Sequence, residues 1–324
     1  MNETLVQLGR QESTASPAVP RREPRPDWLR IRLTTPAAYH KVRKLVDRLS
    51  LHTVCQEARC PNIYECWGEH GTATFMILGD VCTRRCGFCA VTSGRPQQGV
   101  DPEEPAHVAE AVQVMALRHA VITSVDRDDL PDGGAGHFAR VIRTIHEHNP
   151  DTAVEVLTPD FRGVPEALDV VLGAKPEVFS HNMETVPRLY RQARPGSRFD
   201  RSLALLAEAA RRREAGEYAG RVKTGIMVGL GEAPDEVRAT VEDIRGAGVE
   251  ILTIGQYLQP TAKHLPVDRW VHPDEFAGYR ELALSLGFAH CESGPLVRSS
   301  YHAHEHVAAG QDSPAVISSK KETA

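Results

Sequence analysis

The chain has 324 residues, enough for one large domain or two smaller ones, and its 41% hydrophobic and 25% charged residues are ordinary for a globular protein. The formal net charge of −5 argues against a nucleic-acid partner, because such domains usually carry a basic excess on one face. No apolar run approaches the roughly 20 residues that span a bilayer, and no signal-peptide core is present, so we expect a cytoplasmic protein without a membrane partner.

The first part of the chain is predicted to lie outside the main fold. Residues 1–27 are rich in Ser, Pro, Glu and Arg, and we expect a disordered arm because this composition buries too little apolar surface to fold alone. A short helix is expected over 36–49, where apolar residues recur at helical spacing. This helix leads into a cluster of cysteines, and we assign 28–72 as an N-terminal extension.

From residue 73 onward, short β-rich runs alternate with amphipathic helical runs, the pattern of βα units around a parallel sheet. Six strands are predicted at 74–78, 120–124, 152–157, 178–180, 222–228 and 251–254, and a seventh at 288–292. Helices are expected near 103–117, 136–148, 164–172, 200–215, 234–246 and 273–286. The fold class is therefore α/β, a partial (β/α)6 barrel over 73–292 followed by a C-terminal segment over 293–324.

Polar residues follow several of these strands at the point where the strand ends. They are Cys82 to Cys89 after the first strand, Asp126 after the second, Asp160 after the third, His181 and Asn182 after the fourth, and Gln256 after the sixth. Catalytic loops of βα barrels sit at the mouth where the carboxyl ends of the strands meet, so the pattern favours an active site there. The alternative is that polar residues end strands in any protein.

Six of the seven cysteines fall within residues 55–89, and this tight clustering of an odd number favours metal binding over disulfides. Cys82, Cys86 and Cys89 follow the first predicted strand, and Gly87 lets the backbone turn closely between them. Iron–sulfur clusters usually take four thiolates, so a three-cysteine loop leaves one iron open to a small molecule. A structural zinc site is the alternative, although such sites usually complete four ligands.

The upstream cysteines Cys55, Cys60 and Cys66 have a spacing too irregular for a zinc knuckle or a redox pair. By themselves they are compatible with a second cluster, with a zinc ion that holds the extension, or with thiols packed as small hydrophobic groups. Cys291 lies in an apolar run and is predicted to be a core residue.

The loop Cys82-X3-Cys86-X2-Cys89 resembles that of the radical S-adenosylmethionine (SAM) superfamily, and the wider pattern resembles the lipoyl synthase family within it. The latter resemblance rests on Cys55-X4-Cys60-X5-Cys66 directly before this loop and on RSSY at 298–301. Further similar segments are TATFMILG (72–79), VDRDDLPDGG (125–134), EVLTPDF (155–161), HNMETV (181–186), GIMVGLGE (225–232) and GQYLQP (255–260).

The resemblance implies SAM and two [4Fe–4S] clusters as cofactors. It implies that the downstream cluster, held by Cys82, Cys86 and Cys89, binds SAM. The ligands implied for the auxiliary cluster are Cys55, Cys60, Cys66 and Ser300. The residues implied to hold SAM are Thr123, Asp126, Asn182, Glu184 and Arg194, with Lys223 as a weaker candidate.

The reaction implied by the resemblance replaces hydrogen with sulfur at carbons 6 and 8 of an octanoyl chain, which is linked to a lysine of a lipoyl carrier domain. The auxiliary cluster would donate the sulfur. Expected partners are the E2 subunits of 2-oxoacid dehydrogenases, the glycine cleavage H protein and an electron donor. Two alternatives stay open: another radical SAM enzyme, such as a methylthio-transferase, weakened because no RNA-binding module is evident, and a zinc-stabilised binding protein without catalysis.

Two remaining patterns are given structural explanations. His302, His304 and His306 lead into a polar tail and are predicted to be a solvated segment rather than a metal-binding tract. The sequence GLGE at 229–232 is too short and wrongly flanked for a dinucleotide-binding loop, and it is predicted to be a barrel turn.

Overall fold

The computed structural model describes residues 24–30, 37–57, 60, 62–67, 73–300 and 303. Strands in this part of the chain are β1 (His52–Thr53), β2 (Thr74–Ile77), β3 (Val81–Cys82), β4 (Thr92–Ser93), β5 (His119–Ser124), β6 (Ala153–Leu157), β7 (Val178–Ser180), β8 (Arg221–Val228), β9 (Ile251–Gln256) and β10 (His290–Gly294). Eight of them form one sheet in the order β1-β2-β5-β6-β7-β8-β9-β10, and β3 pairs with β4 separately.

Helices connect most of these strands. They are α1 (Ala37–Arg48), α2 (Val54–Glu57), α3 (Ile63–Glu65), α4 (Glu104–Val114), α5 (Ala135–His148), α6 (Pro165–Leu172), α7 (Tyr190–Ala193), α8 (Phe199–Glu214), α9 (Pro234–Gly246) and α10 (Pro273–Ser285). Proline occupies the first turn of α4, α6, α9 and α10, where its missing N–H group costs no hydrogen bond. Short 3-10 helices cover Asp27–Leu29, Phe161–Gly163 and Pro187–Leu189.

The large sheet has the topology of a partial βα barrel. In the order β2-β5-β6-β7-β8-β9-β10, each strand pairs in parallel with its neighbour. The connection from β7 to β8 contains two α-helices, α7 and α8, and each of the other connections contains one. The short β1 pairs antiparallel with β2 and so attaches the N-terminal extension to the sheet edge. Within the described residues β10 and β1 do not pair with each other, so the sheet stays open there.

Strands β2, β5, β7 and β9 are almost wholly buried on both faces, as expected for parallel strands covered by helices. Ile122, Val156 and Phe179 are 0% exposed and mark the centre of this core. Cys291 on β10 is 1% exposed and belongs to the same apolar cluster, which confirms its prediction as a core residue.

The seven predicted strands and the predicted helices are confirmed, with boundaries that differ by at most about three residues. The elements that sequence patterns missed are the short ones, namely β1, β3, β4, α2, α3 and α7, which are too brief to show a period. GLGE at 229–232 is a turn directly after β8, as predicted, with both Glu232 carboxylate oxygens accepting backbone N–H groups of that turn.

The division of the chain into four segments stays a prediction. Most of the predicted arm, the residues His302, His304 and His306, and Tyr301 lie outside the described residues. Within the described part of the chain, no helix combines the length and apolar composition that crossing a membrane requires.

A pair of glycine substitutions tests how the segment after β10 packs on the barrel. A Cβ added at Gly255 in β9 would overlap the backbone carbonyl of Val297, whereas one added at Gly278 in α10 would meet nothing within 4 Å. We expect Gly255→Ala to lower the free energy of unfolding by about 1–3 kcal/mol. Gly278→Ala should raise it by about 0.5–1 kcal/mol because alanine loses less entropy in a helix. Urea denaturation measures both, and equal effects would contradict this packing.

Candidate functional site

The loop that carries Cys82, Cys86 and Cys89 is closed at its base by the β3–β4 pair. Val81 and Cys82 pair in parallel with Thr92 and Ser93. The N–H group of Gly94 then donates to the carbonyl oxygen of Cys82 at 2.8 Å. All three cysteines are therefore presented from one short closed loop beyond the end of β2.

Gly87 holds this loop against two other segments. Its N–H group donates to the carbonyl oxygen of Ala193 in α7, and its own carbonyl oxygen accepts from the N–H group of Leu265, both at 2.8 Å. A Cβ at this position would lie 2.8 Å from Leu265 Cγ, so glycine is required for this close approach. His264 Nε2 lies 2.9 Å from the carbonyl oxygen of Cys89 and adds a third attachment.

Cys82 is also bonded to the segment that follows β5. Its sulfur lies 3.4 Å from the backbone nitrogen of Arg84 and 3.3 Å from that of Asp126, and both N–H groups donate to it. The N–H group of Thr83 donates to the carbonyl oxygen of Asp126 at 2.9 Å. The first cysteine is thus fixed in position relative to the barrel by the protein alone.

Arg84, whose side chain is 3% exposed, contacts three carboxylates at the base of the cysteine loop. Its guanidinium binds both carboxylate oxygens of Asp128 at 2.8 Å, Asp160 at 2.6 Å and Asp126 at 3.3 Å. Arg201 pairs with the second oxygen of Asp160 at 2.8 Å. Although burial opposes it, Arg84 holds the pKa of Asp160 well below its usual range.

The sequence does not reveal the role of Arg84. Arg84 and Arg85 are adjacent in the cysteine loop, and no motif or periodic pattern distinguishes one from the other. The sequence indicates for Asp160 only that it is a polar residue at the end of a strand. Its side chain is fully buried in the Arg84 network and does not line the cavity described next.

A cavity of about 590 Å³ opens over the carboxyl ends of the strands, a size typical of small-molecule sites. Cysteines of both sets line it, together with the C-terminal segment: Cys55, Cys60, Cys82, Cys86, Cys89, Ser299 and Ser300. Cys66 is not among the lining residues. The structure therefore brings most of the two predicted ligand sets to one space.

All five residues predicted to hold SAM line the same cavity: Thr123, Asp126, Asn182, Glu184 and Arg194. Arg194 Nη1 donates to the carbonyl oxygen of Asn182 at 2.7 Å and to the Tyr190 hydroxyl at 2.9 Å. The Asn182 amide donates to Glu184 Oε1 at 3.2 Å. The weaker candidate Lys223 does not line the cavity.

Lys223 is instead part of a buried ion pair between strands. Its ammonium lies 2.7 Å from Glu155 Oε1, and His119 Nε2 lies 3.3 Å from Glu155 Oε2. Burial lowers the pKa of Lys223, and the pairing with Glu155 offsets part of this cost. The prediction that Lys223 contacts SAM is therefore wrong, because its ammonium is paired with Glu155 inside the sheet and does not line the cavity.

Glu184 has a backbone conformation that non-glycine residues rarely adopt, with φ of 68°. Its N–H group donates to the carbonyl oxygen of Gly225 at 3.0 Å, and its own carbonyl oxygen accepts from Met227 at 2.8 Å. Burial raises the pKa of the Glu184 carboxyl, and the charge of Arg194 acts against this. Strain held by neighbouring strands is typical of functional positions.

The polar wall of the cavity fits a polar ligand. Among the described residues, the Ser124 hydroxyl, Asn182 Oδ1 and Arg194 Nε are buried and have no hydrogen-bond partner. Buried polar atoms are usually paired, so three unpaired ones in one wall indicate groups that a ligand satisfies. An amino acid moiety such as that of SAM offers both donors and acceptors.

The thiols of the closed loop fit a metal cluster. Burial raises the pKa of Cys82 and Cys86 to about 12 and that of Cys89 to about 11, so positive charge from a metal is needed to make them thiolates. In the described part of the chain, no three His, Cys, Asp or Glu side chains converge on a point suited to one metal ion. A cubane binds its ligands through different irons, so three thiols on one closed loop fit it without meeting at a single metal ion.

The upstream cysteines lie where the extension meets the C-terminal segment. Cys55 is buried in α2, burial raises its pKa to about 11, and its carbonyl oxygen accepts from the N–H group of Cys60 at 3.0 Å. The Asn62 amide donates to the carbonyl oxygen of Leu296 at 2.9 Å and joins the two segments. Burial lowers the pKa of Arg298, and the nearby Cys60 opposes this change.

Comparison with known proteins identifies the class. The sequence model of the Radical SAM superfamily matches residues 76–244. The structure of Streptococcus suis SuiB bound to precursor peptide SuiA has a similar fold, with a TM-score of 0.52 at 10% identity over 82% of this chain and 55% of that one. Together with the three-cysteine loop, the family match defines a radical SAM enzyme, which uses SAM and a [4Fe–4S] cluster.

The particular family follows from closer relatives. The chain is 57% identical to lipoyl synthase of Rubrobacter xylanophilus over 284 residues, covering 88% of this chain and 87% of that protein. It is 54% identical to lipoyl synthase of Chlorobaculum parvum, covering 86% and 94% respectively. Residues 11–60 match the N-terminal domain of lipoyl synthase of the Radical SAM family. The chain belongs to the lipoyl synthase family and is a sulfur-inserting enzyme.

The Arg84 network predicts a large effect of a single substitution. Arg84→Gln leaves buried Asp160 and its neighbours without their main countercharge, so we expect the metal-free chain to lose about 3–5 kcal/mol of unfolding free energy. Arg211→Gln is the matched control, because Arg211 forms its 2.8 Å pair with Glu208 on the exposed surface. Urea denaturation of both variants is the measurement. Similar unfolding midpoints for the two would show that the network contributes little.

Proposed function

We propose that the two cysteine sets hold two separate [4Fe–4S] clusters at one shared cavity. Cys82, Cys86 and Cys89 are the ligands of the cluster that binds SAM, since a closed loop of three thiols leaves one corner open to a small molecule. The observation that carries the proposal is the shared cavity, which is lined by cysteines of both sets and by unpaired polar atoms.

Five side chains hold SAM in this proposal. Arg194 offers its unpaired Nε to the carboxylate, because a guanidinium is a fork-shaped donor suited to that group. Glu184 and Asp126 accept from the amino group, and Asn182 and Thr123 provide the remaining polar contacts. The hydrogen bonds among Arg194, Asn182 and Glu184 hold these groups in position before any ligand binds.

The second cluster has Cys55, Cys60, Cys66 and Ser300 as its ligands. Cys55, Cys60 and Ser300 face the cavity. A serine oxygen is a poorer partner for iron than a thiolate, because soft sulfur ligands suit these clusters better. A weaker fourth ligand suits a cluster that is meant to release sulfur.

The cavity wall serves the substrate chain as well as the cofactors. No acid or base can ionise the C–H bonds at carbons 6 and 8 of an octanoyl chain, so the bound cofactors supply a carbon-centred radical and the sulfur. Apolar residues such as Met76, Val91 and Met227 line the same cavity, where they contact an alkyl chain and exclude water.

The partners follow from this substrate. The octanoyl group is carried by lysine on a lipoyl carrier domain, and the specific carriers we propose are the E2 subunits of 2-oxoacid dehydrogenases and the glycine cleavage H protein. A protein-bound chain has to enter the cavity from outside while its carrier stays at the surface. An external electron donor completes the system, since each SAM cleavage consumes one electron.

Iron content tests the two-cluster proposal. Anaerobically reconstituted chain should hold about eight irons, and the variant with Ala at 82, 86 and 89 should hold about four, because each cubane contains four. SAM cleavage to 5′-deoxyadenosine should vanish in this variant and persist in the variant with Ala at 55, 60 and 66. About four irons in the unaltered chain, or loss of SAM cleavage only in the upstream variant, would refute the assignment.

The role of Ser300 has its own test. Ser300→Ala should reduce lipoyl product far more than 5′-deoxyadenosine, because the hydroxyl contacts only the cluster that donates sulfur. Ser299→Ala is the matched control, since Ser299 also lines the cavity. Mass spectrometry of an octanoylated carrier, with both products quantified, is the measurement. If Ser300→Ala forms the full amount of lipoyl product and Ser299→Ala loses it, Ser299 rather than Ser300 is the fourth ligand of the second cluster.

A further inference from the structure

Arg298 lies in the cavity wall beside the upstream cysteines, at the point where the C-terminal segment passes β9. Its Nη1 atom donates to the carbonyl oxygen of its own neighbour Val297 at 2.6 Å. A Cβ built on Gly255 would lie 3.5 Å from the same nitrogen, so the guanidinium packs directly on the barrel. Among the described residues, no carboxylate forms an ion pair with Arg298.

Two buried arginines of this protein have carboxylate partners that Arg298 lacks among the described residues. Arg84 contacts three carboxylates, and Arg127 binds both oxygens of Asp129 at 2.9 Å. Arg298 is half-buried in the cavity wall, so a guanidinium there that lacks a carboxylate is partly desolvated and favours a nearby anion. Cys55, Cys60 and Ser300 line the same cavity as Arg298, and Arg25 is a second cation there.

We propose that Arg298 is a positioning residue for the upstream cluster, whose anionic sulfur atoms accept hydrogen bonds from its guanidinium. The proposal rests on the proposed second cluster. Such a cluster carries net negative charge, because its thiolate, alkoxide and sulfide ligands outnumber the positive charges of its irons. The guanidinium thus acquires the counter-ion that the protein does not provide, and Arg298 links the RSSY segment to Cys60 electrostatically.

This role has two physical consequences. Nearby positive charge and N–H groups directed at the sulfurs stabilise the reduced, more negative cluster and raise its reduction potential. They also hold the cluster in the protein until turnover. Removing the guanidinium should therefore lower the potential and speed the loss of iron, without a requirement for substrate or SAM.

The test uses the 324-residue chain with Cys82→Ala, Cys86→Ala and Cys89→Ala, so that only the upstream cluster remains. Arg298→Gln and Arg298→Lys are made in this parent and reconstituted anaerobically with iron and sulfide. Potentiometric titration followed by electron paramagnetic resonance gives the midpoint potential, and a chelator gives the rate of iron loss. We expect Arg298→Gln to shift the potential downward and to lose iron about tenfold faster. Arg298→Lys should shift it less, because the charge is kept.

Arg269→Gln is the matched control, because Arg269 already binds both oxygens of Glu275 at 2.6 and 2.8 Å and does not line the cavity. It should leave the potential and the rate of iron loss unchanged. If the parent holds about four irons and Arg298→Gln behaves like Arg269→Gln, the role of Arg298 is refuted while the second cluster stands. If the parent holds no iron, the second cluster and the role of Arg298 both fail. Circular dichroism of each variant separates misfolding from these outcomes.

Discussion

The contact of Arg84 with three carboxylates is the constraint on which the site depends. Asp126 and Asp128 follow β5, Asp160 follows β6, and Arg84 belongs to the cysteine loop, so one side chain joins three segments. Displacement of the loop would leave several buried charges unpaired, and each such charge is costly. The loop is therefore held by the protein before a cluster is bound, as a precise catalytic site requires.

The rest of the cavity is built from parts that lie far apart in the chain. The N-terminal extension contributes Cys55 and Cys60, the barrel contributes the polar wall, and the segment after β10 contributes Ser300. Two contacts hold this assembly together: the Asn62 amide on the carbonyl oxygen of Leu296, and the packing of Val297 on Gly255. The N-terminal extension and the segment after β10 thus complete a site whose remaining walls come from the barrel.

The two cysteine sets lie in different electrostatic surroundings. A carboxylate oxygen of Asp126 lies 3.6 Å from the sulfur of Cys82, whereas Arg298 and Arg25 lie on the side of Cys60. Carboxylates near a cluster disfavour added negative charge, and arginines favour it. In the proposed assignment, the downstream cluster lies among charges of both signs, because Arg84 and Arg194 accompany the carboxylates, whereas the upstream cluster lies beside arginines.

Features that depend on local sequence pattern, namely the helices, the strands and the cysteine loop, are predictable from the amino-acid sequence. Hydrophobic periodicity predicted the βα units, including the strand at Val178–Ser180 to the residue, and the spacing of Cys82, Cys86 and Cys89 predicted the cluster loop. The family was predicted from a resemblance that also includes the upstream cysteines and RSSY at 298–301. The ion-pair partners of individual buried side chains become evident only from the tertiary structure. Lys223 was a candidate ligand contact in the sequence, but the fold pairs it with Glu155, 68 residues earlier in the chain. No sequence pattern distinguishes Arg84, whose three carboxylate partners are brought together only by the fold. The physical reason is that apolar burial repeats with the period of a helix or strand, whereas the partner of a buried charge is set by which distant segments the fold brings together.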